Sequence, residues 1–151
     1  MRELYDIERV VPHRGTMRLV DRLLAWDDDS VAVELRVPDE GPFCHADGVP
    51  AWVGVEYMAQ SIAAWSGCRA RAAGRAPSVG FLLGTRRYDS RVSWFRAGSV
   101  LRVEAIRELM GDNGLGMFRC RILGEGGELA TANVSVYEPA DAMAYLESTQ
   151  E

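Results

Sequence analysis

The sequence has 151 residues and a mass of 16.7 kDa, which is the size of one domain. Apolar residues make up 48% of the chain and charged residues 26%, so it can bury a normal core, and these proportions exclude disorder. Seventeen basic residues, all of them Arg, against 22 acidic ones give a net charge of -5. This balance argues against a nucleic-acid partner, because neutralising phosphates requires a basic face. We expect a single domain over residues 1–151.

The cysteines and the apolar stretches indicate the cellular compartment of the protein. Cys44, Cys68 and Cys120 are odd in number and widely spaced, which predicts neither a disulfide framework nor a zinc site. The N-terminus lacks the apolar core of a signal peptide, and no apolar stretch reaches the roughly 18 residues of a membrane span. We therefore expect a cytoplasmic protein with reduced thiols, no metal and no membrane partner.

The first half of the chain predicts a hairpin, a loop and a helix. Residues 17–25 and 31–37 are apolar or alternate with period two, which is typical of strands. Residues 38–50 contain three prolines and predict a loop that carries His45. Residues 51–66 are Ala-rich and almost uncharged, with Pro50 before them, and predict one buried helix that ends near Gly67.

The second half predicts an antiparallel sheet. Glycine-rich turns separate four β-like segments, at 79–88, 100–109, 115–123 and 129–137. Strands and helices do not alternate as they do in a parallel nucleotide-binding sheet, so we expect an α+β fold in which one curled antiparallel sheet wraps a central helix. The tail after Pro139 is predicted to be either a short surface helix or frayed.

Two residues are candidates for acid–base chemistry. His45 is one of only two histidines, and an imidazole titrates near neutral pH. Glu56 is the only formally charged residue in the apolar helix, and a buried carboxylate is costly unless it is paired or functional. The alternatives are a loop histidine without a role and a glutamate that bonds to a neighbouring strand. His13 is the other imidazole, and its Pro-His-Arg setting favours a structural contact.

Several short motifs follow one another along residues 10–103. They are Pro12-His13-Arg14, the run from Met17 to Asp21-Arg22, Pro42-Phe43-Cys44-His45, Glu56-Tyr57-Met58-Ala59-Gln60 after Pro50, Phe81-Leu82-Leu83-Gly84, and Ala97-Gly98-Ser99-Val100-Leu101. As an ordered set they resemble the hot-dog-fold 3-hydroxyacyl-(acyl-carrier-protein) dehydratases. The sequence around the predicted helix is most similar to that of the dehydratase-like proteins of aryl polyene pigment clusters.

The resemblance implies a cofactor-free lyase that removes water from a 3-hydroxyacyl thioester on acyl carrier protein. It implies a dimer in which His45 of one protomer takes the C2 proton while Glu56 of the other, kept protonated, donates to the departing hydroxyl. Backbone N–H groups at Gly84 and near Ala51 would polarise the thioester carbonyl. A basic rim would contact the carrier protein and its phosphate; its members would be Arg69, Arg71, Arg75, Arg86 and Arg87.

The sequence also departs from the family. The loop between His45 and Pro50 is shorter than usual, and Cys44 replaces the glycine before the histidine. A shortened loop that withdraws His45 would leave Glu56 without its base. Two alternatives therefore accompany the dehydratase: a thioesterase on the same fold, in which Glu56 activates water, and a non-catalytic acyl-binding subunit of a mixed dimer with a related hot-dog protein.

Overall fold

In the part of the chain that the structure describes, six strands form one antiparallel sheet. The computed structural model of the protein describes residues 2–75, 81–111 and 113–137, with the backbone alone at 81–83. The strands run in the order β1-β2-β6-β7-β8-β4, and each pairs antiparallel with its neighbours. Their bounds are β1 Arg22–Trp26, β2 Ser30–Arg36, β4 Phe81–Ser90, β6 Val100–Met110, β7 Leu115–Gly124 and β8 Gly127–Tyr137. The two remaining strands, β3 Val49–Pro50 and β5 Trp94–Phe95, form a separate ribbon.

A long helix lies against the concave face of the sheet. Helix α2 spans Gly54–Ala72 and follows a 3-10 turn over Ala51–Val53. Strands β6 and β7 direct alternate side chains toward it, because successive residues of a strand point to opposite faces. The ring of Trp65 on the helix meets that of Phe118 on β7 edge to face at 5.1 Å. The expected sheet around a central helix is confirmed.

The helix continues beyond the predicted end near Gly67, as far as Ala72. Gly67 does not terminate the helix; it lies under the short helix α1, Ile7–Val10. A Cβ at this position would lie 2.2 Å from the Val10 carbonyl oxygen, so glycine is required for the two helices to approach this closely. The residue that suggested a helix end from sequence is therefore a packing contact.

The other boundaries follow the predictions with two differences. Strand β1 begins at Arg22 and not at residue 17, because Gly15–Met17 forms a 3-10 turn. The ribbon of β3 and β5 was not predicted, since two residues are too short to show a period. The start of the 79–88 segment and the tail after Pro139 lie outside the described residues.

One stripe of the helix is not covered by the sheet. Trp52 in the preceding turn is 64% exposed, and Val55, Glu56, Ala59 and Ala63 are half-buried at helical spacing. The opposite side of the helix is buried, so a single sheet covers only part of its circumference. Across the described part of the chain, we find no helix that is both long enough and apolar enough to cross a membrane.

Candidate active site

Glu56 lies in the first turn of α2, where the positive end of the helix dipole favours a carboxylate. Its side chain is 41% exposed. The apolar surroundings that we expected for this carboxyl are only partly present in the isolated chain, because Glu56 lies on the stripe that the sheet leaves open. The carboxyl is nevertheless paired, as the sequence argument required of a functional or bonded group.

Gln60, one turn further along the helix, fixes the surroundings of Glu56. It is fully buried. Its amide nitrogen Nε2 donates to the Met17 carbonyl oxygen at 2.8 Å and to Glu56 Oε1 at 3.2 Å. Its oxygen Oε1 accepts from the Leu19 N–H at 2.8 Å. Gln60 thus fastens the segment before β1 to the helix and steadies the carboxyl at the same time.

His13 is the imidazole that faces Glu56 within the chain. Its Nε2 atom lies 3.6 Å from Glu56 Oε1. The other ring nitrogen, Nδ1, is buried and has no hydrogen-bond partner in the described structure. From the sequence, His13 was predicted to make a structural contact, and Gln60 was given no role. The spacing of four between Glu56 and Gln60, which places both on one helix face, was the signal that could have drawn attention to Gln60.

A cavity of about 400 Å³ lies beside this pair. That volume is in the range of small-molecule sites. Apart from His13 and Glu56, the side chains that line it are apolar: Met17, Leu19, Phe43, Trp52, Val53 and Val55. A carboxyl and an imidazole at the wall of an apolar cavity form an arrangement that can carry out proton transfer on a bound substrate.

His45 does not line this cavity. Its N–H donates to the Gly48 carbonyl oxygen at 2.8 Å, and the Gly48 N–H donates back to the His45 carbonyl oxygen at 3.0 Å. This closes a tight turn around Ala46 and Asp47. The His45 ring is exposed and lies 5.4 Å from that of Trp94. Within one chain the structure does not bring His45 and Glu56 together, and the expected contact between protomers stays a prediction.

The two predicted carbonyl-binding positions differ in their availability. The N–H of Ala51 donates to the Ser93 carbonyl oxygen at 3.0 Å, so a thioester would have to displace that bond. Gly84 is exposed on β4 at a break in the register with β8, and a Cβ there would meet nothing within 4 Å. Nothing within the described chain therefore requires glycine at position 84.

A smaller cavity of about 190 Å³ shares Leu19 and Phe43 with the first. Tyr57 and Cys44 line it. Burial raises the pKa of the Tyr57 phenol well above its usual range, so this hydroxyl stays protonated at neutral pH. Burial also raises the pKa of the Cys44 thiol. Within the ranges that the structure describes, no group of three or more His, Cys, Asp or Glu side chains could hold a metal ion.

The predicted basic rim is only partly available to a partner. Arg71 donates through Nε to the Arg9 carbonyl oxygen at 3.1 Å, and the Arg69 guanidinium lies 4.8 Å from the centre of the Trp65 ring. These two side chains therefore already have contacts within the chain. Arg75, Arg86 and Arg87 are exposed.

The curled antiparallel sheet around one long helix defines a protein of the hot-dog fold, and the pair of Glu56 and His13 lies at its open side. The ApeP-like family, described as ApeP dehydratase, matches residues 5–147. The chain therefore belongs to the ApeP-like dehydratase family. A search of curated proteins found no match.

Solved structures agree with this assignment. The chain is 30% identical to one in the dehydratase heterocomplex ApeI:P from Xenorhabdus doucetiae, with a TM-score of 0.89 over 99% of this chain and 100% of that one. It also resembles a hypothetical thioesterase with coenzyme A from Streptococcus pneumoniae TIGR4, at 11% identity and a TM-score of 0.62 over 78% and 86% of the two chains. The smu.793 protein from Streptococcus mutans UA159, bound to acetyl CoA, is 12% identical with a TM-score of 0.63, over 83% and 92%. The last two likenesses concern the fold alone.

Proposed function

We propose that this protein removes water from a 3-hydroxyacyl chain carried on acyl carrier protein, in fatty-acid-like or aryl polyene chain elongation. The observation that carries the proposal is Glu56, which shares an apolar cavity with an imidazole in a chain of a dehydratase family. The fit of such a cavity to an acyl chain supports it, since apolar walls bind the methylene groups and leave the reacting carbons to the polar pair.

Glu56 is the acid of this proposal. A carboxyl that donates its proton to the C3 hydroxyl turns a poor leaving group into water. The bond from the Gln60 amide to Glu56 Oε1 holds one carboxyl oxygen. An imidazole accepts the C2 proton, and the resemblance takes it from the neighbouring protomer, where it would be His45 in a dimer of two copies of this chain. The exposed turn that carries His45 is accessible to such a neighbour.

The second subunit of the proposal is a related hot-dog protein. The uncovered stripe of α2, with Trp52, Val55, Ala59 and Ala63, is an apolar surface of the kind that subunits bury. The relative from Xenorhabdus doucetiae is part of a dehydratase heterocomplex, which favours a mixed dimer over two copies of this chain. Light scattering of the protein alone and mixed with its partner distinguishes the two: a homodimer that excludes the partner contradicts this part of the proposal.

Incubation with a 3-hydroxyacyl-acyl-carrier-protein tests the reaction. The purified protein, alone and with the partner subunit, is expected to produce the enoyl thioester with loss of one water, measured by mass spectrometry. Glu56→Gln keeps the size of the side chain and its bond to Gln60 but cannot donate a carboxyl proton. We expect it to lower kcat by about 100-fold or more.

Three outcomes contradict the proposal. Release of the free acid without an enoyl product identifies a thioesterase. Turnover that Glu56→Gln leaves unchanged removes Glu56 from the chemistry. Activity of the mixture that depends entirely on acidic and imidazole residues of the partner identifies this chain as a non-catalytic acyl-binding subunit. Retained binding of acyl carrier protein in that case points to the exposed Arg75, Arg86 and Arg87 as its contacts, which charge reversal at these positions tests.

A further inference from the structure

We infer that His13, from the same chain as Glu56, is the catalytic base of the site. The inference rests on the proposed function and names the imidazole that performs its proton abstraction. Sequence reasoning placed this role on His45 and gave His13 a structural contact. The geometry points to the reverse, on three observations: the position of the His13 ring, the absence of a hydrogen-bond partner for its Nδ1 atom, and the closed turn at His45.

The position of the ring is the first observation. His13 Nε2 lies 3.6 Å from Glu56 Oε1, and both side chains line the same cavity. The proton on C2 and the hydroxyl on C3 of the substrate are on adjacent carbons. A base and an acid that reach both from one side must therefore lie close together, as these two do. Among the described residues that line the cavity, His13 and Glu56 are also the only titratable side chains.

The hydrogen bonding of the ring is the second observation. A histidine with a structural role is normally satisfied through at least one ring nitrogen. Nδ1 of His13 is buried without a partner in the described structure, and Nε2 is farther from the carboxyl than the 2.7–3.2 Å of an N–H···O bond. The 3.6 Å separation leaves both groups free to bond to a substrate that lies across them.

The closed turn at His45 is the third observation. The N–H and the carbonyl oxygen of His45 both form hydrogen bonds with the backbone of Gly48, which has a φ of +123°. A Cβ at Gly48 would lie 2.1 Å from the Phe95 carbonyl oxygen, so the turn is packed tightly against β5. The His45 ring rests near Trp94 and lines neither of the two cavities described above. Reaching a carboxyl at the start of α2 would require a second protomer, whereas His13 needs none.

Every proton transfer of the proposed reaction can take place between the substrate and residues of one chain. His13 Nε2 takes the proton from C2, the C3–O bond breaks, and the Glu56 carboxyl gives its proton to the departing hydroxyl, which leaves as water. The imidazolium then returns its proton to the Glu56 carboxylate beside it. Both groups regain their starting states without an external acid or base, and the products are the enoyl thioester and one water.

His13→Gln tests the inference in the dehydration assay, because glutamine keeps a polar group of similar reach but cannot accept the proton. We expect kcat to fall by about 100-fold or more with KM changed little. The limb of the pH profile that rises as an imidazole deprotonates is expected to disappear from the residual activity. His45→Gln is the matched imidazole deletion and is expected to cost much less. Circular dichroism checks that each variant is folded.

The outcomes separate the inference from the proposed function. A severe loss in His45→Gln with near-normal activity in His13→Gln overturns the inference and leaves the dehydratase proposal standing. If both variants lose most of their activity, the pH profile of His13→Gln decides between the two histidines. A rising limb that persists in this variant overturns the inference, and its absence supports the inference. Full activity in both overturns the inference. The dehydratase proposal stands or falls separately, on Glu56→Gln and on the identity of the product.

A spectroscopic readout is independent of turnover. The chain contains only two histidines, so the imidazole Cε1–H region of an NMR spectrum contains two signals, which His45→Gln assigns. Glu56→Gln is expected to shift the His13 signal and leave that of His45 in place. Titration with a 3-hydroxyacyl-pantetheine is expected to do the same. Perturbation of the His45 signal alone would overturn the inference.

Discussion

Gln60→Leu tests whether one buried amide holds the active-site segment to the helix. Leucine fits the volume of the site but removes the acceptor for the Leu19 N–H and the donor to the Met17 carbonyl, both at 2.8 Å. A buried backbone group that loses its partner costs about 1–3 kcal/mol. Met17 is exposed and Leu19 half-buried, so water can reach the freed groups after a small movement, and we use about 1.5 kcal/mol for each.

The net change follows from this cost and one opposing gain. Burying an isobutyl group in place of an amide returns about 1 kcal/mol, so the free energy of unfolding is expected to fall by about 2 kcal/mol. With a urea dependence of about 2 kcal/mol per molar for a domain of this size, the midpoint moves down by about 1 M. Tryptophan fluorescence measures the transition, because Trp65 is buried in the core.

Ser61→Ala is the matched control on the same helix. Ser61 is also fully buried, but its hydroxyl donates to the Tyr57 carbonyl oxygen within the helix at 2.7 Å. That carbonyl lies inside α2, where the helical bonds of the backbone satisfy it, so the loss of the hydroxyl is expected to cost under about 1 kcal/mol. A Gln60→Leu variant that is as stable as the wild type, or that loses no more than Ser61→Ala, would refute the reasoning.

Two further predictions concern the helix contact and the thiols. Gly67→Ala gains about 1 kcal/mol of helix propensity but loses about 1–3 kcal/mol by overpacking against the rigid Val10 carbonyl. We therefore expect thermal unfolding to show a net loss of stability. A variant that is more stable than the wild type would contradict the close contact. Burial raises the pKa of Cys68 and of Cys120 to about 12, which leaves about one thiolate in ten thousand at pH 8. A thiol reagent is therefore expected to modify only the half-buried Cys44 before unfolding, and native modification of a second thiol contradicts this.

Local patterns were enough to predict most of the fold. The alternating burial in β6 and β7 and the apolar run of α2 are properties of neighbouring residues, so the sequence contains them directly. The predicted end of the helix was wrong because Gly67 packs against a distant segment, α1, and no local pattern reveals that contact. Glycine signals a stop in most contexts, and tertiary packing overrides that preference here.

The sequence could single out only part of the candidate site, for the same reason. Glu56 could be found because a single charge in an apolar helix is visible in the sequence. The partners of Glu56 could not be found from the sequence, because Gln60 bonds to Leu19 and Met17, which lie 41 and 43 positions earlier in the chain. The approach of His13 to Glu56 depends on the same long-range contact. Motif position favoured His45, but the shortened loop closes into a turn that carries its ring away from the cavity.

Two contacts on one helix set the separation of the proposed acid and base. Gln60 fixes the chain just after His13, and the close approach of Gly67 to Val10 fixes it just before. His13 is therefore positioned from both sides by the helix that carries Glu56. A neighbouring subunit is not needed to bring His13 and Glu56 together, and in the proposed mixed dimer we expect it to cover the exposed Trp52 side of the cavity and exclude water. On this proposal we expect disruption of the subunit interface to raise KM and slow turnover by admitting water, and displacement of the segment that holds His13 to abolish proton transfer.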